Sequence, residues 1–122
     1  MRIIKKYPNR RLYDTEDSKY ITLEDISVLV TENKEFVVID SKTESDLTRN
    51  ILLQIIIEKE QSSIPIFSTR VLTQIIRSYK NQLQQHIGNK LEKTIEELIS
   101  QNQDEQQLVE PDNIQTTISN EN

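Results

Sequence analysis

The sequence has no cysteine and no tryptophan, and only one glycine, one methionine and two phenylalanines among its 122 residues. The absence of cysteine excludes disulfide bonds and thiolate zinc sites, and it fits the reducing cytoplasm in which we expect the protein to reside. A single glycine excludes the glycine-rich phosphate-binding loops of both common kinds. With so few aromatic residues, isoleucine and leucine must fill the hydrophobic core.

Long apolar runs and catalytic groups are also scarce. No stretch approaches the roughly 18 consecutive apolar residues of a membrane-spanning helix, and no apolar segment follows the basic N-terminus as in a signal peptide. His86 is the only histidine, and it stands among Gln84, Gln85 and Asn89 with no paired carboxylates at ligand spacing. We therefore expect no enzymatic activity, no metal site and no cofactor.

Basic and acidic residues are concentrated at opposite ends of the chain. The net charge is −5 at pH 7. Residues 1–13 carry five basic residues and no acidic one, whereas residues 100–122 carry five acidic residues and no basic one. Such a division is typical of a binding segment at one end and a solvated tail at the other.

The first 61 residues alternate short strands with helices, which predicts an α+β fold that opens with a β-meander. The predicted strands are 2–7, 10–14, 19–21 and FVVID at 36–40, and the predicted helices are 22–32, capped by Thr22, and 49–60, capped by Thr48. The second helix is apolar nearly all round. That pattern is typical of a helix central to a core or shared with a partner chain.

A helical region follows Pro65, which cannot continue a helix. We expect one long helix from Ser68 or Thr69 to about residue 101, with Gly88 as a weak point. Its apolar stripe consists of Leu72, Ile76, Tyr79, Leu83, Ile87, Leu91, Ile95 and Leu98. Because the chain has no second long helix to cover this stripe, we predict that it mediates homo-oligomerisation; the alternative is a surface for a lipid-like particle. The polar, acidic segment 102–122 is predicted to be disordered.

The basic segment KKYPNRRLYD (5–14) predicts nucleic-acid binding. Cations on two antiparallel strands about 5 Å apart suit a phosphate backbone, arginine can pair with guanine, asparagine with adenine, and tyrosine can contact sugar or phosphate. The residues that we expect to contact DNA are Lys5, Lys6, Tyr7, Asn9, Arg10, Arg11 and Tyr13. The alternative is an edge strand that its charges keep soluble, and composition alone supports the two interpretations about equally.

Four blocks of the sequence resemble a known bacterial family. They are IKKYPNRRLYDT (4–15), YITLEDI (20–26), the segment 37–58 that begins VVIDSKT, and the segment 64–79 that begins IPIFS. Over about residues 2–99 the chain resembles the polyhydroxyalkanoate synthesis repressors and the related polyhydroxybutyrate accumulation regulators. The first block is long and unusual enough to make this resemblance specific.

The resemblance implies a DNA-binding domain at 1–61 and a helical region at 64–101 for assembly and polymer sensing, with 102–122 as a tail outside it. It also implies a homo-oligomeric transcriptional repressor that binds double-stranded DNA at the promoters of phasin genes and of its own gene. Such proteins leave the DNA when polyhydroxyalkanoate granules or nascent polymer occupy them. The alternative is a structural granule protein that uses the amphipathic helix and does not bind DNA.

The helical region departs from the family pattern at one place. Where the family tends to have a methionine- and glycine-rich stretch after its FYG sequence, this chain has the segment 82–88, QLQQHIG, after Ser78-Tyr79-Lys80. Polar and charged side chains thus replace soft, adaptable methionine surface. The exchange bears on polymer sensing and leaves the predicted DNA contacts untouched.

Overall fold

A computed structural model describes residues 1–62 and 64–108 of the chain, and their side chains as far as residue 102. The chain divides into two compact units, with the boundary between Ser68 and Thr69. None of the helices described combines the length and the apolar character that a membrane crossing requires.

The first unit is a four-stranded sheet with two helices packed on one face. Its elements are β1 (Arg2–Lys6), β2 (Leu12–Asp14), β3 (Lys19–Ile21), α1 (Leu23–Thr31), β4 (Phe36–Asp40) and α2 (Thr48–Ser62). The strand order is β3-β2-β1-β4, in which β1 is antiparallel to β2 and parallel to β4. The predicted meander and α+β fold class are therefore confirmed, and the FVVID strand extends the meander on its β1 side.

The core of this unit lies between the sheet and the helices. It contains Ile4, Leu12 and Val38 from the strands together with Ile26 and Ile51 from the helices. Because side chains alternate along a strand, the residues between these core positions point to the opposite face of the sheet. On that open face, the side chain of Tyr20 is 54% exposed.

Helix α1 begins where the sequence predicts. The hydroxyl of Thr22 accepts the backbone N–H of Asp25 at 3.1 Å, and the Asp25 carboxylate accepts the N–H of Thr22 at 2.9 Å. This reciprocal pair is a capping box, which satisfies two backbone donors that the helix leaves free. The helix ends at Thr31, and Asn33, two residues later in the loop before β4, has a φ of 59°.

Helix α2 begins one residue earlier than predicted, and its capping differs. The hydroxyl of Thr48 accepts the N–H of Val38 at 2.9 Å and so ties α2 to β4, whereas the Asp46 carboxylate accepts the N–H of Thr48 at 2.8 Å. The predicted cap at Thr48 is therefore wrong, because a non-local strand partner uses its oxygen. On the opposite side from the core, α2 exposes Leu52, Leu53, Ile56 and Ile57 by 36–54%.

The second unit contains two helices where a single long one is predicted: α3 (Thr69–Lys80) and α4 (Gln84–Leu108). Gln82 has a φ of 60°, and the N–H groups of Gln82 and Leu83 donate to the carbonyls of Tyr79 and Ser78. This Schellman motif satisfies the last carbonyls of α3 and turns the chain. No glycine or proline marks the break, so the sequence pattern missed it.

Helix α4 passes through Gly88 without interruption and continues seven residues past its predicted end at 101, as far as Leu108. The extension is rich in glutamine and acidic residues, which a helix accommodates at low cost. The remainder of the predicted tail, residues 109–122, lies outside the described residues.

Candidate nucleic-acid interface

The β1–β2 hairpin carries the basic segment to one end of the sheet. Its loop is Pro8-Asn9-Arg10, closed by hydrogen bonds from the N–H of Tyr7 to the Arg11 carbonyl at 2.9 Å and from the N–H of Arg10 to the Tyr7 carbonyl at 2.8 Å. Arg10 has a φ of 70°, in the left-handed region where such loops favour glycine. An arginine thus stands at the hairpin tip in a conformation that its own backbone disfavours.

Asn9 stabilises this loop with its side chain. Its carboxamide oxygen accepts the backbone N–H of Arg11 at 3.0 Å. Bidentate pairing with adenine uses both the oxygen and the nitrogen of an asparagine amide. Asn9 in this conformation therefore mainly stabilises the loop, and Arg10 in the loop and Arg11 directly after it are better placed to contact a base.

The alternation of β1 places the two lysines on opposite sides of the sheet. Lys5 is in register with Tyr13 on the open face, whereas Lys6 is in register with Leu12 on the face that carries the helices. The seven residues that the sequence predicts as DNA contacts therefore surround the hairpin tip and do not share a single flat surface.

The open face beside the tip carries an aromatic cluster. The ring centroids of Tyr7, Tyr13 and Tyr20 lie 5.3–6.4 Å apart in edge-to-face arrangements. The guanidinium of Arg11 lies 5.1 Å from the centroid of Tyr20, a cation–π distance. Tyr20 is not among the contact residues predicted from the sequence; the β2–β3 register, which pairs Tyr13 with Tyr20, brings it into the cluster.

Arg2, the fifth basic residue among residues 1–13, is neutralised by the fold. Its guanidinium forms ion pairs with Asp14, with Glu16 at 3.1 Å and with Asp17 at 3.5 Å. Loss of water lowers the pKa of Arg2, but the hydrogen bond and charge of Asp14, with the two other carboxylates, outweigh this and raise the pKa overall. Arg2 is therefore occupied within the sheet and is a poor candidate for phosphate contact.

The other four basic residues of this stretch lack ion pairs of this kind in the described part of the chain. Among the described residues, no ion pair joins a carboxylate to any of Lys5, Lys6, Arg10 and Arg11. The acid opposite Lys6 in the sheet is Asp40, whose carboxylate accepts the N–H groups of Lys42 and Thr43. These backbone hydrogen bonds hold the pKa of Asp40 below its ordinary value of 3.8. The hairpin tip thus presents four positive charges on a chain whose net charge is −5.

The predicted oligomerisation residues lie on two helices. Leu72, Ile76 and Tyr79 lie on α3, Leu83 lies in the junction, and Ile87, Leu91, Ile95 and Leu98 lie on α4. Apart from the half-buried Ile87, these side chains are 44–69% exposed. The helix break therefore divides the predicted stripe into two apolar faces, each on its own helix, that the described residues leave largely exposed.

No cluster of three or more histidine, aspartate or glutamate side chains within metal-binding distance occurs in residues 1–62 and 64–102. The chemistry of the first unit is instead that of a cationic, partly aromatic surface. Such a surface binds a polyanion by charge and positions it by hydrogen bonds from arginine, lysine and tyrosine.

Comparison with known proteins assigns both units. Residues 3–63 match the family model of the PHB/PHA accumulation regulator DNA-binding domain, and residues 67–107 match that of the PHB accumulation regulatory domain. PHB and PHA stand for polyhydroxybutyrate and polyhydroxyalkanoate.

Two relatives are each 52% identical over 103 residues, or 84% of this chain. One, from Thiocystis violacea, is described as an uncharacterized protein in the phbA 5′ region and is covered over 75% of its length. The other, an uncharacterized protein of Allochromatium vinosum, is covered over 67%. No solved structure matches the chain. The predicted family is confirmed: this chain belongs to the PHB/PHA accumulation regulators, and its first unit is their DNA-binding domain.

Proposed function

We propose that this regulator is a sequence-specific transcriptional repressor of polyhydroxyalkanoate storage genes, namely phasin genes and its own gene. It binds double-stranded DNA through the tip of the β1–β2 hairpin. The observation that carries this proposal is the group of four cations around the tip, none of them ion-paired to a described carboxylate. On an acidic chain, such a group is a local surface for phosphate.

The shape of the hairpin suits the major groove. That groove is about 12 Å wide and admits a two-stranded β-ribbon. With the tip in the groove, Lys5 and Lys6 on opposite sides of the ribbon face opposite phosphate walls. Arg10 and Arg11 then lie at the leading end of the ribbon, where each guanidinium reaches a phosphate of the groove wall and a bidentate arginine can in addition recognise guanine.

The second unit carries the proposed assembly and polymer response. The faces of α3 and α4 expose apolar side chains such as Ile76, Leu91 and Leu98 by 44–69%. A second copy of the chain that covers these faces would bring two hairpins to one operator, as in other dimeric repressors. Polyester occupying the same faces would compete with that assembly and release the DNA.

The same apolar faces support a second candidate, a granule-coat protein that does not bind DNA. Mapping of the DNA that the full-length protein occupies in cells, with and without stored polyester, distinguishes the two functions. The repressor occupies storage-gene promoters, loses them in an Arg10→Ala/Arg11→Ala variant, and leaves them when polymer accumulates. Protein that sediments with granules and is enriched at no promoter would support the coat and contradict the repressor.

A further inference from the structure

A cleft lies on the helix-bearing side of the hairpin tip, away from the tyrosine cluster. Its volume is about 390 Å³. It is lined by Lys6, Arg10, Leu12, Leu23, Ile51 and Gln54. Strand β1, the hairpin loop and helix α2 thus each contribute one polar side chain to a single concave surface, although these residues lie as many as 48 positions apart in the sequence.

The floor of the cleft is apolar, and each of its polar side chains can donate hydrogen bonds. Leu12 is 6% and Ile51 is 1% exposed, so both belong to the core. The polar side chains above them are the Lys6 ammonium, the Arg10 guanidinium and the Gln54 amide, and none of the described residues that line the cleft carries a carboxylate. All three groups donate hydrogen bonds, and two carry a positive charge.

Gln54 has a defined place in this arrangement. It follows Ile51 by three residues on α2, so it lies about one helical turn further along and beside the buried face. Its side chain is solvent-exposed and lines the same cleft as the two cations. The glutamine amide is a neutral and directional hydrogen-bond donor, and it complements the positive charges of Lys6 and Arg10.

We propose that this cleft binds a phosphoryl oxyanion, and that Gln54 is its third contact residue. The inference deepens the proposed function and rests on it, because a DNA backbone phosphate is the source that the hairpin tip would bring to the cleft. Gln54 on helix α2 then contacts a phosphate on one side of the groove together with Lys6 and Arg10, while Lys5 and Arg11 face the phosphates on the other side. Free inorganic phosphate has the same chemistry and is the second source to test.

The test uses the full-length chain and a matched pair of variants. Gln54→Glu puts a carboxylate beside the bound oxyanion, whereas Gln61→Glu makes the same charge change on the same helix, outside the cleft. Anisotropy titration of a duplex promoter fragment is expected to show at least a tenfold weaker affinity for Gln54→Glu than for Gln61→Glu. Gln54→Ala is expected to weaken binding about threefold or more while leaving the salt slope unchanged, because it removes no charge.

NMR of the glutamine side-chain amides provides a readout that does not depend on operator sequence. Titration of the wild-type chain with inorganic phosphate, and separately with duplex DNA, is expected to shift the Gln54 amide resonances and leave those of Gln61 in place. Shifts with both ligands, or with DNA alone, support the site and identify its source. Shifts with phosphate in a chain that binds no DNA support the site while refuting the proposed function. Equal DNA affinities of the two glutamate variants, with no Gln54 shift for either ligand, would overturn the proposal.

Discussion

Arg10 provides a test in which stability and DNA affinity change in opposite directions. Its φ of 70° lies in the left-handed region, which costs a residue with a side chain about 1–2 kcal/mol. Glycine adopts that region freely but loses more backbone entropy on folding, by about 0.5–1 kcal/mol. We therefore expect Arg10→Gly to raise the free energy of unfolding of the first unit by about 0.5–1 kcal/mol.

The same substitution removes one of the four cations at the hairpin tip. For a domain of this size, about 1 kcal/mol corresponds to about 4–8 °C in melting temperature, so the expected rise is a few degrees. Loss of one phosphate contact should make the log–log slope of DNA affinity against salt less negative by about 0.9. Three of the four tyrosines belong to the first unit, so near-ultraviolet circular dichroism follows its unfolding, and fluorescence anisotropy follows DNA binding.

Ser18→Gly is the matched control. Ser18 has a φ of 54° in the turn between β2 and β3, so its replacement by glycine relieves the same kind of conformational cost without removing a charge. It should raise the melting temperature by a similar amount and leave DNA affinity and its salt slope unchanged. The reasoning is refuted if Arg10→Gly melts lower than wild type, or if it keeps the wild-type affinity and slope.

Three further perturbations follow from the structure. Thr22→Ala removes the capping box of α1 and should lower the free energy of unfolding by about 1 kcal/mol, measured by urea denaturation; an unchanged midpoint would contradict it. Because the pKa of Asp40 is lowered in the folded chain, its stabilising contribution is present above pH 3.8 and is lost as the pH falls through the folded value. Asp40→Asn should therefore flatten acid unfolding in that range, and an acid-unfolding curve parallel to that of wild type would count against this. Leu91→Glu places a charge on the exposed face of α4 and should shift the chain toward monomer in light scattering, whereas an unchanged mass would exclude that face from assembly.

Local signals predicted most of the fold of the first unit. The threonine cap at Thr22 and the apolar FVVID run each act over a few residues, and each marks an element that the structure contains. The pairing of β4 with β1 is non-local, so no short pattern contained it. The hydroxyl of Thr48 was misassigned for the same reason, since its partner, Val38, lies on a strand ten residues earlier.

The sequence names residues for the proposed site, whereas their arrangement depends on the fold. Composition located the cations of the basic segment, whereas strand register decides that Lys5 and Lys6 face opposite sides. Arg2 is neutralised by the carboxylates of residues 14–17, which the hairpin brings back beside the start of β1. Tyr20, which joins the aromatic cluster, and Gln54, which we propose as a contact residue, were not named from the sequence because each reaches the hairpin from another element. The break at Gln82 was missed because a Schellman motif formed without glycine leaves the apolar spacing almost regular.

The central claim is that the hairpin tip binds DNA through four cations, none of which is ion-paired to a carboxylate that the structure describes. The most direct measurement is the salt dependence of the affinity of the full-length chain for a duplex from a storage-gene promoter, compared with that of Arg10→Ala/Arg11→Ala. If each cation contacts one phosphate, the log–log slope should be about −3.6 per bound chain, and about 1.8 less negative in the double variant. Wild-type binding that is insensitive to salt, or a double variant with undiminished affinity, would contradict the claim.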